Sequence, residues 1–470
     1  MTVSHSTDRI ETVGIDDSEQ LKADLLDGKI PIAVYGLGKV GLPIAAVFAD
    51  VTSNVIGVDV DPTVVETINA AEVPFDHEPG LAQLIEHSVE HDGLVATTDG
   101  QTAAQRATIH LIIVPVGTRS AGRTEQQPPW VPPNDRQARS VVPDLRSLQD
   151  AVETVAQGLA PGDLVLVEST VPPGTTAKLV EPCLSEKSGL DGEFRLAYSP
   201  ERISSGRAVR DVKGAYPTVV GGIDRESTQL ASVVYETITE GEVITVSDAT
   251  TAEAVKLFEG VYRDVNIALA NELGRATDSL GIDVLEAIDA ANTQPYCAIH
   301  RPGAGVGGHC IPVYPHLLQA AVTIETPLME TARSVNDAMP SFVVARTIDE
   351  LESNGMAVKG STIAVLGITY RPGIPETSNS PAGPIIEGLT ASGAEVFAID
   401  PELDEPTVFG VPRIELDQLE SIEPDAVVVV TPHTAFIDRD WSTYAGLVVD
   451  CRDAIDGDLP WRYTIGRGRH

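Results

Sequence analysis

Cys310 has the most unusual surroundings of any cysteine in this chain. It follows a segment, RPGAGVGGH, whose glycines leave almost no side-chain bulk: Gly303, Gly305, Gly307 and Gly308. A glycine-rich backbone can come very close to a bound molecule. A free cysteine is more often a small buried hydrophobic residue. The glycines therefore favour a functional thiol at 310, whereas a structural role is expected for the other three, Cys183, Cys297 and Cys451.

A second chemical motif, YGLGKVG, joins an apolar run at 30–35 to a helical pattern. Its glycines have GxGxxG spacing, which permits a tight turn, close approach of a pyrophosphate and close packing of the helix, whose N-terminus meets the phosphate. A tight turn without a ligand is the alternative. We predict that the turn residues bind a dinucleotide: Gly36, Gly38, Lys39, Val40 and Gly41.

Asp59 closes the next apolar run, VIGVDV (55–60). This is about the spacing at which a carboxylate accepts hydrogen bonds from the adenosine ribose hydroxyls. A carboxylate there would repel a 2′-phosphate. The sequence therefore favours NAD over NADP as the cofactor.

The chain is strongly acidic, with 69 acidic and 32 basic side chains and a formal net charge of −37. Such a charge repels nucleic-acid phosphates and anionic membrane surfaces, so we expect neither as a partner. The acidic residues are scattered through the sequence. This pattern indicates a halophilic protein, although an acidic cytosolic protein from an ordinary organism is the alternative.

No membrane span or metal site is indicated by the sequence. No apolar run reaches the roughly 18 to 20 residues that cross a bilayer. The N-terminal residues lack the basic start and apolar core of a secretory signal. The four cysteines show no CxxC pair or metal-type spacing. We expect a cytoplasmic protein without bound metal.

Short apolar runs alternate with helical patterns from residue 30 onward. The runs IAVYG, VIGVDV, HLIIVPV and LVLVEST belong to a first series, and STIAVLGITY (361–370) begins a second. Such alternation predicts parallel sheets covered by helices. The predicted fold is α/β, with two doubly wound Rossmann-like domains joined by a long central helix.

The domain boundaries follow from this pattern. We predict an N-terminal extension at 1–29 with a short helix near 18–26, a dinucleotide-binding domain at 30–248, a central helical region at 249–340 and a second Rossmann-like domain at 341–470. The proline-rich polar stretch at 118–143 predicts a long surface loop near the mouth of the site.

The central region predicts one long helix, because residues 249–291 contain no proline. Its apolar residues recur at three- and four-residue steps: Val255, Phe258, Val261, Val265, Leu269 and Leu273. The stripe is wide enough for a subunit interface. We expect a homodimer.

Several motifs occur in the order of one known family. These are GLGKVGLP, VESTVPPGTT (167–176), YSPERI (198–203), KLFEGVYRDVNIALANELG (256–274), PGAGVGGHCIPV and LGITYRP (366–372). From Ile30 to the C-terminus the chain resembles the UDP-glucose/GDP-mannose dehydrogenase family. The resemblance is strongest to its branch acting on UDP-N-acetyl-D-mannosamine, whose acidic product enters surface polysaccharides and glycans.

The resemblance implies a four-electron oxidation of the sugar C6 alcohol to a carboxylate, with NAD as the oxidant in both steps. It assigns to Cys310 the capture of the intermediate aldehyde, first as a thiohemiacetal and then as a thioester that water cleaves. A thiolate traps aldehydes well, so the residue type suits the role.

The same resemblance assigns three further catalytic residues. Lys256 would stabilise the developing oxyanion and assist proton transfer, although an exposed helix lysine is the alternative. Glu201 would hold substrate and water. Thr170 would lie at the nicotinamide end of the cleft, with a strand-end cap as the alternative.

The resemblance also assigns residues to the UDP-sugar. An arginine fork suits a pyrophosphate or sugar oxygens, although salt-bridged surface arginines are common. We predict that Lys256 contacts the substrate together with six further residues: Arg202, Ile203, Arg263, Gly307, Arg371 and Arg452.

Four positions depart from the family pattern. Gly260 stands where much of the family has an asparagine, and Tyr314 where many members have an aspartate. Ser205 replaces a glutamate of some UDP-glucose dehydrogenases, which favours an N-acetylated hexosamine because it makes room near the sugar. Ser378 replaces a common arginine.

Three alternatives follow. The enzyme could act on UDP-glucose or UDP-N-acetylglucosamine, it could stop after a two-electron step, or it could be a non-catalytic nucleotide-sugar-binding protein. The cysteine segment argues against a two-electron enzyme, and Gly260 and Tyr314 are what motivate the non-catalytic alternative.

Overall fold

The computed structural model describes residues 18–75, 78–120, 141–457 and 459–469. The chain forms two compact units. The first contains the described residues up to Phe258 together with 316–323, and the second contains 259–315 and the described residues from 324 onward.

Ten short strands belong to the first unit. They are β1 (Ile32–Tyr35), β2 (Val55–Val58), β3 (Leu94–Thr97), β4 (Ile109–Ile112), β5 (Gly117–Ser120), β6 (Val141–Asp144), β7 (Leu164–Val167), β8 (Arg195–Tyr198), β9 (Thr218–Gly222) and β10 (Val243–Thr245). Eight form a sheet in the order β10-β9-β8-β7-β4-β1-β2-β3, with β8 and β9 antiparallel. The order β3-β2-β1-β4 places the ends of β1 and β4 at the switch point of a doubly wound sheet.

Strands β5 and β6 pair with each other as a separate antiparallel ribbon. They lie at the two ends of the stretch predicted as a surface loop, so these ends are strands and not loop. The rest of that predicted loop, 121–140, lies outside the described residues.

Helices cover both faces of the first sheet. They are α1 (Ser18–Leu26), α2 (Gly41–Thr52), α3 (Pro62–Asn69), α4 (Leu81–Glu90), α5 (Gly100–Arg106), α6 (Arg146–Ala156), α7 (Glu181–Ser188), α8 (Ala208–Arg210) and α9 (Arg225–Glu236), with π-helical turns at Thr176–Val180 and Asp211–Ala215. Phe48 of α2 is buried in one core and Val152 of α6 in the other. Leu21 and Leu25 bury α1 in the first of these cores, so the short helix predicted near 18–26 packs onto the first unit.

The central region contains α10 (Ala249–Leu280), α11 (Val284–Ala291), α12 (Tyr314–Ala321), α13 (Pro327–Asp337) and α14 (Met339–Ser353). The long helix is confirmed, but its predicted end at 291 is wrong. Gly281 has φ +65°, and Asp283 caps α11 by accepting the N–H groups of Leu285 and Glu286. A left-handed glycine followed by a capping aspartate ends one helix and starts another.

The second unit contains a smaller sheet. The strands of that sheet are β11 (Thr362–Leu366), β12 (Glu395–Ile399), β15 (Ala426–Val429), β16 (Leu447–Asp450), β17 (Arg462–Thr464) and β18 (Gly468–Arg469), while β13 (Thr407–Val408) and β14 (Val411–Pro412) pair separately. The helices of this part of the chain are α15 (Ala382–Ala391), a 3₁₀ helix at Leu416–Ile422 and α16 (Thr434–Ile437). The sheet order is β12-β11-β15-β16-β17-β18, parallel except for β17 and β18. Cores on both faces confirm the second doubly wound domain.

The turn after β11 repeats the geometry of the turn after β1. Gly36 donates its N–H to Val58 at 2.8 Å, and Gly367 donates to Ile399 at 2.9 Å. Asp400 then follows β12 as Asp59 follows β2. Its Oδ2 accepts the N–H groups of Ile368 and Thr369, and it also lies 3.1 Å from Nε2 of the buried His433.

Among the residues that the structure describes, no helix is long and apolar enough to cross a membrane.

Candidate active site

The glycine turn of the first unit is built by close backbone packing. A Cβ atom on Gly36 would lie 2.3 Å from the carbonyl oxygen of Ile113, and one on Gly41 would lie 1.9 Å from that of Gly36. A Cβ on Gly38 would meet no described atom within 4 Å. The outer glycines are thus needed for packing, and the middle one leaves the surface of the turn open.

The start of α2 completes this surface. Val40 occupies the N-cap position, and no side chain of the described residues caps the helix there. The N–H group of Gly41 can therefore serve an anionic ligand, whereas Leu42 donates to the Gly38 carbonyl at 3.0 Å and Pro43 has no N–H. Lys39 and Val40, which we predict to contact the dinucleotide, lie between the open Gly38 and the helix.

Asp59 lies against the same turn. Its Oδ2 accepts the N–H of Leu37 at 2.8 Å, and its Oδ1 accepts the N–H of Asp61 at 3.0 Å. These bonds fix the carboxylate at the end of β2, and each oxygen can still accept a ribose hydroxyl. The open glycine turn, the uncapped helix and the fixed acid fit a dinucleotide with free ribose hydroxyls.

The structure brings three predicted residues of the first unit together. Nζ of Lys256 donates to Oε2 of Glu201 at 2.6 Å, and the N–H of Ile203 donates to Oε1 at 2.7 Å. Both side chains are largely buried, at 9% and 11% exposure. A charge pair in such surroundings is screened weakly by water, so the two side chains attract each other more strongly than at an exposed surface.

Arg202 points elsewhere than this pair. Its Nη1 donates to the carbonyl of Pro217 at 2.8 Å, and its guanidinium lies 5.2 Å from the ring centroid of Tyr216. A contact between Arg202 and a substrate would have to use its other donors.

Thr170 is half-buried at the carboxyl end of β7. The hydroxyl of the preceding Ser169 accepts the N–H of Val114 at 2.9 Å and donates to its carbonyl at 2.8 Å. This pair of bonds joins the ends of β4 and β7, at the sheet edge where open α/β folds bind ligands.

Sequence reasoning missed Glu253, which fixes the segment after Thr170 to α10. Its carboxylate accepts the N–H of Gly174 at 2.5 Å and both the N–H and the hydroxyl of Thr176, at 2.7 and 2.6 Å. Burial raises the pKa of Glu253 to about 7, against the opposing effect of these hydrogen bonds. A signal was present, since Glu253 lies one helical turn before Lys256.

Sequence reasoning also missed Glu168, two residues before Thr170. Glu168 is 3% exposed, and its Oε1 accepts the hydroxyl of Tyr235 at 2.6 Å. Burial raises the pKa of Glu168 to about 8. The Tyr235 hydrogen bond and the charge of Lys256 lower it, and the charge of Glu201 raises it.

Cys310 lies in the second unit with an exposed, unoxidised thiol. The loop before it is pressed against Tyr370, because Cβ atoms on Gly307 and Gly308 would lie 2.8 and 2.9 Å from atoms of that side chain. Gly308 has φ +88° and donates its N–H to the carbonyl of Ser378 at 2.8 Å. The glycines therefore serve close packing between two loops of this unit, as well as any contact with a ligand.

The other cysteines differ from Cys310 in exposure. Cys451 is buried, whereas Cys183 and Cys297 are half-buried. Burial raises the pKa of Cys451 and of Cys183 above the usual thiol value. A raised pKa leaves less thiolate, so these two thiols are less reactive at neutral pH.

A buried polar network anchors the start of the cysteine loop. Gly303 donates its N–H to Asn271 at 2.8 Å, and the Asn271 side chain donates to Asn336 at 2.9 Å. Asn336 in turn donates to the carboxylate of Asp264, and Nη1 of Arg333 donates to the same carboxylate at 2.5 Å. The loop is thus tied to α10 and α13.

Two predicted arginines lie beside this loop. The guanidinium of Arg452 packs on Gly303, where a Cβ atom would lie 2.4 Å from its Nη1. Arg263 is near His300, whose pKa is lowered by burial and then by the charge of Arg263. Arg371 is exposed in the loop that follows β11. All three belong to the second unit, together with Cys310 and Gly307.

The fold and these sites define a dinucleotide-dependent oxidoreductase with a second Rossmann-like domain. Three models of one family match the chain, by their descriptions the NAD binding domain at 30–239, the central domain at 250–338 and the UDP binding domain at 364–457. The chain belongs to the UDP-glucose/GDP-mannose dehydrogenase family. It is an NAD-dependent nucleotide-sugar dehydrogenase, and the predictions of family, fold class, enzyme class and cofactor are confirmed.

Individual relatives agree with this assignment. The chain is 34% identical to a UDP-N-acetyl-D-mannosamine dehydrogenase of Pyrococcus horikoshii over 90% of this chain and 96% of that one. A solved structure of UDP-D-ManNAc dehydrogenase from Pyrococcus horikoshii matches at a TM-score of 0.81, with 32% identity over 93% of this chain and 100% of that one. An NDP-N-acetyl-D-galactosaminuronic acid dehydrogenase from Methanosarcina mazei Go1 matches at 0.78, with 30% identity over 95% and 98%.

Proposed function

We propose that this enzyme oxidises UDP-N-acetyl-D-mannosamine at C6 to UDP-N-acetyl-D-mannosaminuronate in two successive two-electron steps. The observation that carries the proposal is the 34% identity to a relative of that name over nearly the whole of both chains. The exposed thiol of Cys310 in its glycine loop supports the four-electron outcome, because an alcohol-to-aldehyde enzyme has no need of a nucleophile.

Lys256 and Glu201 would handle the proton and oxygen of the C6 hydroxyl. The paired ammonium can donate hydrogen bonds to a developing oxyanion, and such a donor typically contributes about 3 kcal/mol in buried sites. Glu201 is held by Lys256 and by the N–H of Ile203, so its carboxylate is fixed in orientation. The glycine turn and Asp59 would hold NAD⁺, which would supply the acceptor for the hydride that leaves C6.

Cys310 would carry the second half of the reaction. Its thiolate would add to the aldehyde carbon, and the oxygen would take up a proton to give a thiohemiacetal. Removal of that proton and of a second hydride, for which a second NAD⁺ would supply the acceptor, would leave a thioester. Water then cleaves the thioester to the carboxylate and restores the thiol. The role of Thr170 and Glu201 in this step is to hold the water and the sugar oxygens.

The second unit would hold the uridine diphosphate. Arg452, Arg371 and Arg263 supply positive charge around the cysteine loop in a chain that is otherwise strongly acidic. Guanidinium groups suit a pyrophosphate because they can donate two parallel hydrogen bonds. Ser205, in place of a longer acid, supports a sugar with an N-acetyl group.

The second candidate substrate is a nucleotide-linked N-acetylgalactosamine. It is favoured by the likeness to the Methanosarcina mazei structure, whose name carries that sugar acid. UDP-glucose and UDP-N-acetylglucosamine remain the further alternatives, and they differ from the first candidate only at the sugar ring.

A panel of these UDP-sugars incubated with NAD⁺ tests the proposal. We expect the highest kcat/KM with UDP-N-acetyl-D-mannosamine and two NADH per sugar consumed. One NADH per sugar would contradict the role of Cys310. A higher kcat/KM with another sugar would show that this sugar, and not UDP-N-acetyl-D-mannosamine, is the substrate. No reduction with any sugar would favour a nucleotide-sugar-binding protein.

A further inference from the structure

A small, half-open cavity of the first unit lies beside Glu201, the partner of Lys256. Its volume is about 50 Å³, and its wall includes Glu168, Ser199, Glu201, Tyr216 and Tyr235. A space of this size is large enough for a few water molecules. Its lining is mostly apolar, but the carboxyl and hydroxyl groups in its wall offer hydrogen-bond partners. The cavity therefore connects two carboxyl groups that come from different strand ends.

The two carboxyl groups have different partners. Glu201 accepts from the ammonium of Lys256 and the N–H of Ile203, which stabilises the anion. The donor to Glu168 is the neutral hydroxyl of Tyr235. Burial of Glu168 and the nearby negative charge of Glu201 both raise the pKa of Glu168, to about 8, so at neutral pH Glu168 is the uncharged acid.

Other charged and titratable groups that line the cavity are engaged away from Glu168. Arg202 donates to the Pro217 carbonyl at 2.8 Å. Asp211 accepts the N–H of Ser204 at 3.0 Å and lies 3.8 Å from Nη2 of Arg207. Tyr216 stays un-ionised, because burial and then the charge of Asp211 raise its pKa. The groups whose charge acts on Glu168 are Glu201 and Lys256.

We propose that Glu168 is a positioning residue that sets the charge balance of the Glu201–Lys256 pair. While Glu168 is neutral, one anion faces one cation and Lys256 can exchange its proton with the substrate oxygen. When Glu168 loses its proton to solvent through the cavity, two anions face one cation, and the proton is held on Lys256. The proposal rests on the role of Lys256 in the proposed function.

The variant Glu168→Gln keeps the size and hydrogen bonding of the neutral acid but cannot ionise. We expect its kcat to equal that of the wild type near about pH 6.5 and to exceed it about threefold or more near about pH 9.5, since a single nearby charge is strongly felt at a buried site. A ratio that stays constant with pH would mean a purely structural role and would overturn the proposal.

Tyr235→Phe provides an independent variant in case Glu168→Gln fails to fold. The hydroxyl of Tyr235 lowers the pKa of Glu168, so its removal should move the alkaline inflection of kcat to higher pH. Tyr444→Phe, which removes a hydroxyl bonded to the Pro424 carbonyl in the second unit, is the matched control and should leave the profile unchanged. An unmoved inflection in Tyr235→Phe would contradict the proposal.

An NMR titration without substrate separates this proposal from the proposed function. The ¹³C carboxyl signal lost in Glu168→Gln should titrate with a midpoint near 8 in the wild type. The Lys256 side-chain signal should shift with the same midpoint, and that shift should vanish in the variant. A Glu168 midpoint near the ordinary value of 4.5, or a Lys256 signal that ignores it, would refute the inference even if every sugar is oxidised as proposed.

Discussion

Gly260 and Tyr314 share one space in the second unit. A Cβ atom on Gly260 would lie 2.3 Å from Cδ2 of the Tyr314 ring, and the N–H of Tyr314 donates to the carbonyl of Cys310 at 3.0 Å. These are two of the positions at which the sequence departs from the family pattern. Because the ring fills the room that a side chain at 260 would need, the two departures are coupled, and together they tie the Cys310 turn to α10.

The variant Gly260→Ala should test that coupling. Alanine favours a helix by about 1 kcal/mol over glycine, yet here we expect a loss of about 1 to 3 kcal/mol in unfolding free energy because the ring must move. Chemical denaturation of Gly260→Ala, Tyr314→Ala and the double variant measures the interaction. If the losses of unfolding free energy in the two single variants simply add in the double variant, the two positions are not coupled and the idea is wrong.

Cys310→Ser should abolish formation of the acid and leave NAD binding intact, because a hydroxyl is a poor nucleophile at neutral pH. NADH release and NAD affinity by calorimetry measure the two properties separately. Cys297→Ser is the matched control, since it makes the same change at the half-buried thiol 13 positions earlier in the chain and should retain activity. Full turnover in Cys310→Ser would remove the nucleophile from the mechanism.

Glu253→Gln should change how stability depends on pH. Burial raises the pKa of Glu253 from 4.5 to about 7, so between these values the folded chain holds a proton that the unfolded chain has lost. Glu253 therefore makes the unfolding free energy fall as pH rises through this window, by about 3 kcal/mol at about 1.4 kcal/mol per pKa unit. Relative to the wild type, the variant should gain stability from pH 5 to pH 7.5 in denaturant titrations. A difference that is the same at both pH values would show that Glu253 ionises normally.

The long helix α10 carries exposed apolar side chains that we propose are covered by a second copy of the chain. Phe258, Tyr262 and Leu269 are 59%, 58% and 49% exposed and recur at helical spacing. Exposed apolar stripes of this kind mark interfaces. The pair of changes Tyr262→Asp and Leu269→Asp should convert a dimer into a monomer by light scattering. Ile437→Asp, at a 40% exposed position on α16, should not.

The acidic composition leads to a prediction about salt. With 69 acidic against 32 basic side chains, repulsion between like charges opposes folding, and salt screens it. We expect activity and circular dichroism to be lost as potassium chloride is lowered from molar concentration and to return when it is restored. Stable activity at low salt would indicate that the surface charge has another origin.

The parts of the site that could be predicted are those encoded locally. Gly36, Gly38 and Gly41 are set by the spacing between a strand and a helix, and the structure places them in one turn with Asp59 bonded to it. The role of Cys310 rests on its glycine-rich neighbours, again a local pattern. The end of α10 was missed because Gly281 interrupts a long stretch without proline and the pattern of apolar residues continues beyond it.

The parts that could not be predicted depend on contacts distant in sequence. Glu168 and Glu253 are ordinary acids in the sequence, and only their burial against Tyr235 and Thr176 makes their pKa values unusual. Arg202 was predicted to bind substrate, yet the carbonyl of Pro217 takes one of its donors. Such outcomes are set by packing between elements, which a single sequence does not encode in any short pattern.

The turn after β11 bears on how the two proposed oxidation steps could follow one another. Asp400 has the position that Asp59 has in the first unit, but the backbone of Ile368 and Thr369 and the ring of His433 surround its Oδ2. Asp400 is 1% exposed, so its carboxylate is engaged in contacts inside the second unit. The turn of the second unit thus resembles the dinucleotide-binding turn but is held by internal hydrogen bonds. Two rounds of oxidation would then require spent cofactor to leave the first unit and fresh cofactor to enter while the sugar stays attached to the protein.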